Sequence, residues 1–173
     1  MWKFIFRIIF IFILALLQIF LFDRLPFPTY FYLSFYVSYI VLLSMKTSKY
    51  FVIISGAFLG IVIDILVGTH GLVTIATTST AFVRTLILRN FISSELYQAD
   101  RVPSIKNMGV FTWSIYAILL IITNNIVLCL FESGFQIFTS SLIFLRVLYS
   151  TLCTYILVLF VQYIVADSKK SSW

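Results

Sequence analysis

The chain has 173 residues, of which 62% are hydrophobic and only 10% are charged, and its formal net charge is +6. Soluble domains are about 45–50% apolar and about 25% charged. A soluble fold built from this sequence would expose large apolar patches, which aggregate. The composition therefore excludes an ordinary soluble domain and predicts an all-α polytopic membrane protein with a single membrane domain over residues 1–173.

Six apolar stretches in the sequence approach the length of a transmembrane helix, which needs about 20 residues. In chain order, we place these spans at residues 4–22, 29–45, 50–67, 71–88, 110–131 and 137–166. Lys3 and Arg7 resemble the start of a signal peptide, but the apolar run is too long and no cleavage site follows before Asp23. The sixth stretch is longer than a span requires, so either strong tilt or an interfacial segment around residues 135–141 accounts for it.

The basic residues predict the orientation of the spans, because cytoplasmic loops carry an excess of Lys and Arg. With both termini in the cytoplasm, nine basic residues lie on the inner side and one, Arg24, lies on the outer side. The nine are Lys3, Arg7, Lys46, Lys49, Arg89, Arg101, Lys106, Lys169 and Lys170. We interpret the net positive charge as a retention signal and an attraction to anionic lipid, so no nucleic-acid partner is predicted.

Three charged residues fall inside the predicted spans, where burying a charge costs at least about 2.5 kcal/mol. Arg84 is near the inner end of the fourth span, and snorkelling of its side chain to the cytoplasmic headgroups explains it. Asp64 and Arg146 both fall in the outer half of the membrane, so we expect them to pair at the centre of a polar cluster. The other polar residues at similar depth are Gln18, Thr74, Thr77, Thr78, Asn124 and Asn125. The alternative is that each polar group satisfies a nearby backbone carbonyl.

The third predicted span has a stripe of residues at four-residue spacing, which places them along one face of a helix. These residues are Gly56, Gly60, Asp64 and Gly68. The Gly56-x-x-x-Gly60 pair permits close contact with a neighbouring helix backbone. We expect this contact within the protein rather than in a homodimer. The tight turn from Gly68 to His70 predicts that the third and fourth spans form a hairpin.

The sequence contains no recognisable catalytic or nucleotide-binding motif. His70 is the only histidine, and Cys129 and Cys153 both fall in apolar runs without metal-ligand spacing. Glu95 and Asp100 lie among basic residues in the long loop and indicate a solvated segment. We therefore predict a protein that is not an enzyme and that binds no cofactor or metal.

One part of the chain resembles a known family. The segment from Gly56 to Leu72 reads G-x-x-x-G-x-x-x-D, followed by a glycine-rich turn that opens the next span. With Leu17-Gln18 and residues 26–33, this pattern resembles the rod shape-determining protein MreD family over residues 17–89. Beyond that range the resemblance depends on size, span number and basic ends.

The resemblance implies a multi-pass protein of the bacterial inner membrane that acts as a non-enzymatic scaffold in cell elongation, cell shape and peptidoglycan synthesis. The implied partners are the bitopic protein MreC, the actin-like MreB filament, and a SEDS-type glycosyltransferase with its penicillin-binding protein. The implied fold is similar to the six-helix S component of energy-coupling-factor vitamin transporters.

That fold supplies the main alternative function, a substrate-binding S component whose ligand would occupy the outer-half polar cluster. S components typically have small-residue motifs on their first helix for docking, whereas residues 4–22 contain a single small residue, Ala15. A membrane-embedded enzyme is the third alternative, and the lack of acid–base pairs disfavours it.

Overall fold

The computed structural model describes residues 33–91, 102–132 and 141–168. Within these ranges the chain contains helices and irregular segments but no strand. The helices are α1 (Val37–Leu42), α2 (Lys49–Val67), α3 (Leu72–Phe91), α4 (Ile105–Met108), α5 (Val110–Glu132) and α6 (Ser141–Ser168).

Four of these helices, α2, α3, α5 and α6, are long and apolar enough to cross a membrane. They correspond to the third, fourth, fifth and sixth predicted spans, and the protein is therefore a helical membrane protein. The first predicted span, residues 4–22, lies outside the described residues, as do residues 133–140, which include most of the possible interfacial segment.

The second predicted span, residues 29–45, is wrong as a continuous helix over its described part. α1 has six residues and is therefore about 9 Å long, too short to cross a bilayer core of about 30 Å. Its residues are enclosed by the long helices, and Val37 and Val41 are completely buried. Hydropathy failed here because an apolar run buried in protein has the same composition as one that faces lipid. Irregular backbone at membrane depth is tolerated when protein surrounds it.

α2 and α3 form the predicted hairpin, and local sequence defines its ends. Ser48 caps the start of α2 by accepting a hydrogen bond from the backbone N–H of Phe51. Gly68 ends α2 in the left-handed conformation with φ 81°, and its N–H donates to the carbonyl of Asp64. His70 also has a positive φ, 53°, and Gly71 follows with φ 93°. The turn thus needs two glycines within four residues.

α5 is the central helix of the described bundle and contacts α1, α3, α4 and α6. One face of α5 is buried at helical spacing, from Trp113 through Ala117 and Leu120 to Asn124 and Leu128. α6 contacts α5 and α1 along one face, while its other face exposes large apolar side chains, as a lipid-facing helix does.

The described basic side chains of the loops gather at one end of the bundle. Lys49 begins α2 and Arg89 is near the end of the antiparallel α3, so both lie at the same end. Arg84, in the second half of α3, bonds to Tyr116 near the start of α5, so the start of α5 lies at this end too. Lys106, just before α5, is therefore also at the basic end. The opposite end contains His70 and Glu132. This asymmetry agrees with a cytoplasmic location of the basic end, and the orientation stays a prediction.

Candidate functional site

The Asp64 carboxylate accepts four hydrogen bonds at the turn between α2 and α3, an arrangement that we name the Asp64 cap. Its Oδ1 accepts from the Thr69 hydroxyl and from the backbone N–H of Val73, 3.0 Å away. Its Oδ2 accepts from the backbone N–H of Thr74 at 2.8 Å and from the Thr74 hydroxyl. The carboxylate is therefore engaged by donors from the turn and from the first turn of α3.

The Asp64 cap explains how a carboxylate is tolerated in a predicted span without a cationic partner. The first N–H groups of a helix have no partner within it, and a preceding side chain normally accepts from them. Gly71 precedes α3 and has no side chain, so Asp64 does this from across the hairpin. The helix dipole also stabilises a negative charge at this position.

The predicted glycine stripe brings α2 close enough to α3 for this contact. A Cβ atom on Gly60 would lie 2.5 Å from the Thr74 Cα, and one on Gly56 would lie 3.0 Å from the Ala81 Cβ. The prediction that Gly56-x-x-x-Gly60 packs within the protein is thus confirmed. Thr77, a further predicted site residue, lies in this contact and donates its hydroxyl to the Val73 carbonyl.

Asn124 and Asn125 form the second polar group, which we name the asparagine network, with Ser34, Tyr36 and Thr151. The Asn124 amide nitrogen donates to the Ser34 hydroxyl at 3.0 Å and to the Tyr36 hydroxyl at 3.2 Å. Ser34 donates to Asn125 Oδ1 at 3.3 Å, and the Asn125 amide nitrogen donates to Thr151 at 3.1 Å. All five residues are buried, so the network joins α5, α6 and the segment before α1 in the core.

Thr154 extends this connection to the backbone of the segment before α1. Its hydroxyl accepts from the Ser34 backbone N–H at 3.3 Å. The alternative that polar groups satisfy local carbonyls holds for Thr77 and Thr78, whose hydroxyls donate to carbonyls one turn back in α3. It does not hold for Asn124 and Asn125, which bond to other elements.

The expected ion pair between Asp64 and Arg146 is wrong. Arg146 instead lies 2.9 Å from the Glu132 carboxylate, at the adjoining ends of α5 and α6. Ser141 is the first described residue of α6, so Arg146 is about 8 Å along the described helix, near the end of α5. Asp64 is held by the four donors of its own hairpin.

The prediction that Arg84 snorkels to the headgroups is also wrong, since its side chain is only 1% exposed. Nη2 donates to the carbonyls of Leu43 and Ser44, and Nε donates to the Tyr116 hydroxyl at 3.1 Å. Tyr116 in turn donates to the Val41 carbonyl at 3.0 Å. We name this arrangement the Arg84 clamp. It supplies donors to the carbonyls of Val41 near the end of α1 and of Leu43 and Ser44 just after it, and its charge matches the helix dipole.

Several residues of these groups lie outside the predicted cluster, namely Ser34, Tyr36, Thr69, Tyr116, Glu132, Thr151 and Thr154. Thr151 and Thr154 are one helical turn apart, and that spacing is the signal in the sequence that points to a shared polar face. No such spacing marks Ser34 and Tyr36. They lie in the segment before α1, where the predicted continuous helix does not form.

The predicted single cluster is therefore three groups: the Asp64 cap, the asparagine network and the Arg146–Glu132 pair. A cavity of about 40 Å³ lies between them and is lined by residues from each, including Ser34, Thr69 and Glu132. Gln18, the remaining predicted member, lies outside the described residues. In the described ranges, no three His, Cys, Asp or Glu side chains come together as metal ligands would.

Comparison with protein-family models, with curated proteins and with solved structures finds no match to this chain.

Proposed function

We propose that this protein is a non-enzymatic membrane scaffold of the bacterial cell-elongation complex, located in the inner membrane and docking an MreC-like bitopic protein. The further partners in this proposal are MreB, a SEDS-type glycosyltransferase and its penicillin-binding protein. The proposal starts from the resemblance of the Gly56–Leu72 segment to the MreD family.

The observation that carries the proposal is the role of that segment in the hairpin. Gly56 and Gly60 allow close contact between α2 and α3, Asp64 caps α3, and Gly68 ends α2. Every polar or small residue of the pattern therefore fixes the geometry of the bundle. A docking platform needs such fixed geometry, because a preorganised surface lowers the entropy lost on association.

The size of the cavity between the three polar groups supports a scaffold over a vitamin-binding S component. Sites for organic ligands usually have volumes of about 300–1,000 Å³, whereas the cavity beside the Asp64 cap measures about 40 Å³. The Asp64 carboxylate and the Asn125 amide also bond to the protein itself. These groups support the bundle in this arrangement rather than a bound substrate.

Depletion of the protein in its native cell tests the proposal. We expect rod-shaped cells to become round, and expression of the wild-type chain to restore the rods. Vitamin-dependent growth with normal shape would contradict the scaffold and favour the transporter component. Supplying a vitamin mixture to the depleted cells provides the control, since it should correct a transport defect but not a shape defect.

Site-specific photo-crosslinking tests the docking step directly. A crosslinker replaces one exposed aromatic residue at a time, on α2 at Phe58, on α3 at Phe82 and on α6 at Phe160, which are 47%, 53% and 64% exposed. We expect one face to capture the MreC-like protein while the others capture only lipid. Trp113, which is completely buried, supplies the negative control position. Absence of the MreC-like protein from every adduct would contradict docking on these faces.

A further inference from the structure

The cavity between the three polar groups lies toward the end of the bundle that contains His70. Thr69 belongs to the turn between α2 and α3, and Glu132 is the last residue of α5, so both place the lining at this end. Ile63 and Leu128 lie about one turn deeper, and Ser34 and Tyr36 of the asparagine network also line the cavity. The cavity thus runs from the end of the bundle toward its buried polar network.

The volume of the cavity matches water rather than an organic ligand. A cavity needs about 10–15 Å³ to hold one water molecule, and this one measures about 40 Å³. It therefore has room for about two or three water molecules. Ordered water also needs two to four polar partners, since an apolar cavity of similar size stays dry.

The lining supplies these partners along its length. The lining includes three residues with hydroxyl groups, Ser34, Tyr36 and Thr69, and the acidic residue Glu132. The Thr69 hydroxyl donates to Asp64, and its oxygen can still accept from water. Asn124, which donates to the lining residues Ser34 and Tyr36, has a buried Oδ1 atom with no hydrogen-bond partner among the described residues. Such an orphaned acceptor indicates a group that water completes.

We propose that this cavity is a hydrated inlet, a site for two or three water molecules that connects the asparagine network with bulk water. The inference is independent of the proposed function, because it depends only on the lining, the volume and the position of the cavity at the His70 end of the bundle. It makes the bundle core at the His70 end wet at membrane depth.

Cysteine accessibility tests the inlet in lipid nanodiscs, where both faces of the membrane meet the reagent. The background carries Cys129→Ala and Cys153→Ala, and the probe is the Ag⁺ ion, a thiol-reactive cation no larger than a water molecule. Two matched pairs of cysteine positions are compared. The two positions of each pair lie on the same helix, two residues apart in the sequence. Ile63→Cys and Leu128→Cys line the cavity and are 2% and 6% exposed. Their controls, Ile61→Cys and Ile126→Cys, are 46% and 41% exposed on the outer surface of the bundle.

If the inlet is hydrated, the buried cavity positions react faster than the exposed control positions, which is the reverse of their order of exposure. The cavity positions react at least about tenfold faster than their controls, because the thiolate and the charged reagent meet only in water and lipid covers the controls. Adding Val73→Leu, which enlarges a lining side chain, slows the modification of Leu128→Cys. Cavity positions that do not react, or that react no faster than their controls, overturn the proposal. Size-exclusion chromatography verifies that each variant is folded. Because the two pairs lie on different helices, the second pair still tests the proposal if a variant of the first pair misfolds.

Discussion

Removal of the Asp64 carboxylate should destabilise the bundle more than removal of any single hydroxyl group of the Asp64 cap. In Asp64→Ala, the hydroxyls of Thr69 and Thr74 can turn to other acceptors, but the backbone N–H groups of Val73 and Thr74 are fixed by α3. A buried donor without a partner costs about 1–3 kcal/mol. Because the Val73 donor is buried and the Thr74 donor is partly buried, we expect a loss of about 2–4 kcal/mol. Asp64→Asn keeps one acceptor oxygen and should lose about half as much.

The assay is reversible unfolding in mixed micelles of increasing SDS content, followed by circular dichroism. Thr74→Val is the matched control, because it removes one hydroxyl from the cap and leaves both backbone donors satisfied by Asp64. Its expected cost is about 1 kcal/mol. If Asp64→Ala unfolds at the same SDS content as Thr74→Val, the carboxylate does not hold the start of α3 and the reasoning fails.

Three further perturbations test the packing of the helices, the clamp and the ion pair. Gly60→Ala should lower stability by about 3 kcal/mol because its Cβ would meet helix backbone, whereas Gly56→Ala, which meets a side chain 3.0 Å away, should cost less in the same unfolding assay. Arg84→Gln should cost about 3–5 kcal/mol, since buried carbonyls lose a charged donor, and equal thermal stability of the variant and wild type would contradict the clamp. The partly exposed Glu132 and Arg146 should show a favourable coupling energy of about 0.2–1 kcal/mol in a double-mutant cycle. A coupling energy of zero would contradict a stabilising ion pair.

The sequence predicted the long helices because hydropathy and length are local properties. The third predicted span, residues 50–67, differs from α2 by one residue at its start, and the fifth, residues 110–131, differs from α5 by one at its end. The hairpin between Gly68 and Gly71 was equally local, because glycine permits the positive φ that the turn requires.

The partners of the intramembrane charges were not predictable from depth along the helices. Depth placed Asp64 and Arg146 in the same half of the membrane but gave no information about the direction in which each side chain points. Asp64 points into its own hairpin, and Arg146 points to the end of α5. Arg84 bonds to the carbonyls of Leu43 and Ser44, because the chain between α1 and α2 packs near it.

The sequence by itself determined that this is a helical membrane protein, where its long helices lie, and that Gly56 and Gly60 lie on a close-packing face. The tertiary structure decided that the segment around α1 is buried within the bundle, that Asp64 caps α3, and that the asparagines join elements distant in the chain. The physical reason is that hydropathy and helical spacing act over a few turns. Hydrogen bonds between buried polar groups depend instead on the rotation and packing of whole helices, and these are set by every contact in the bundle together.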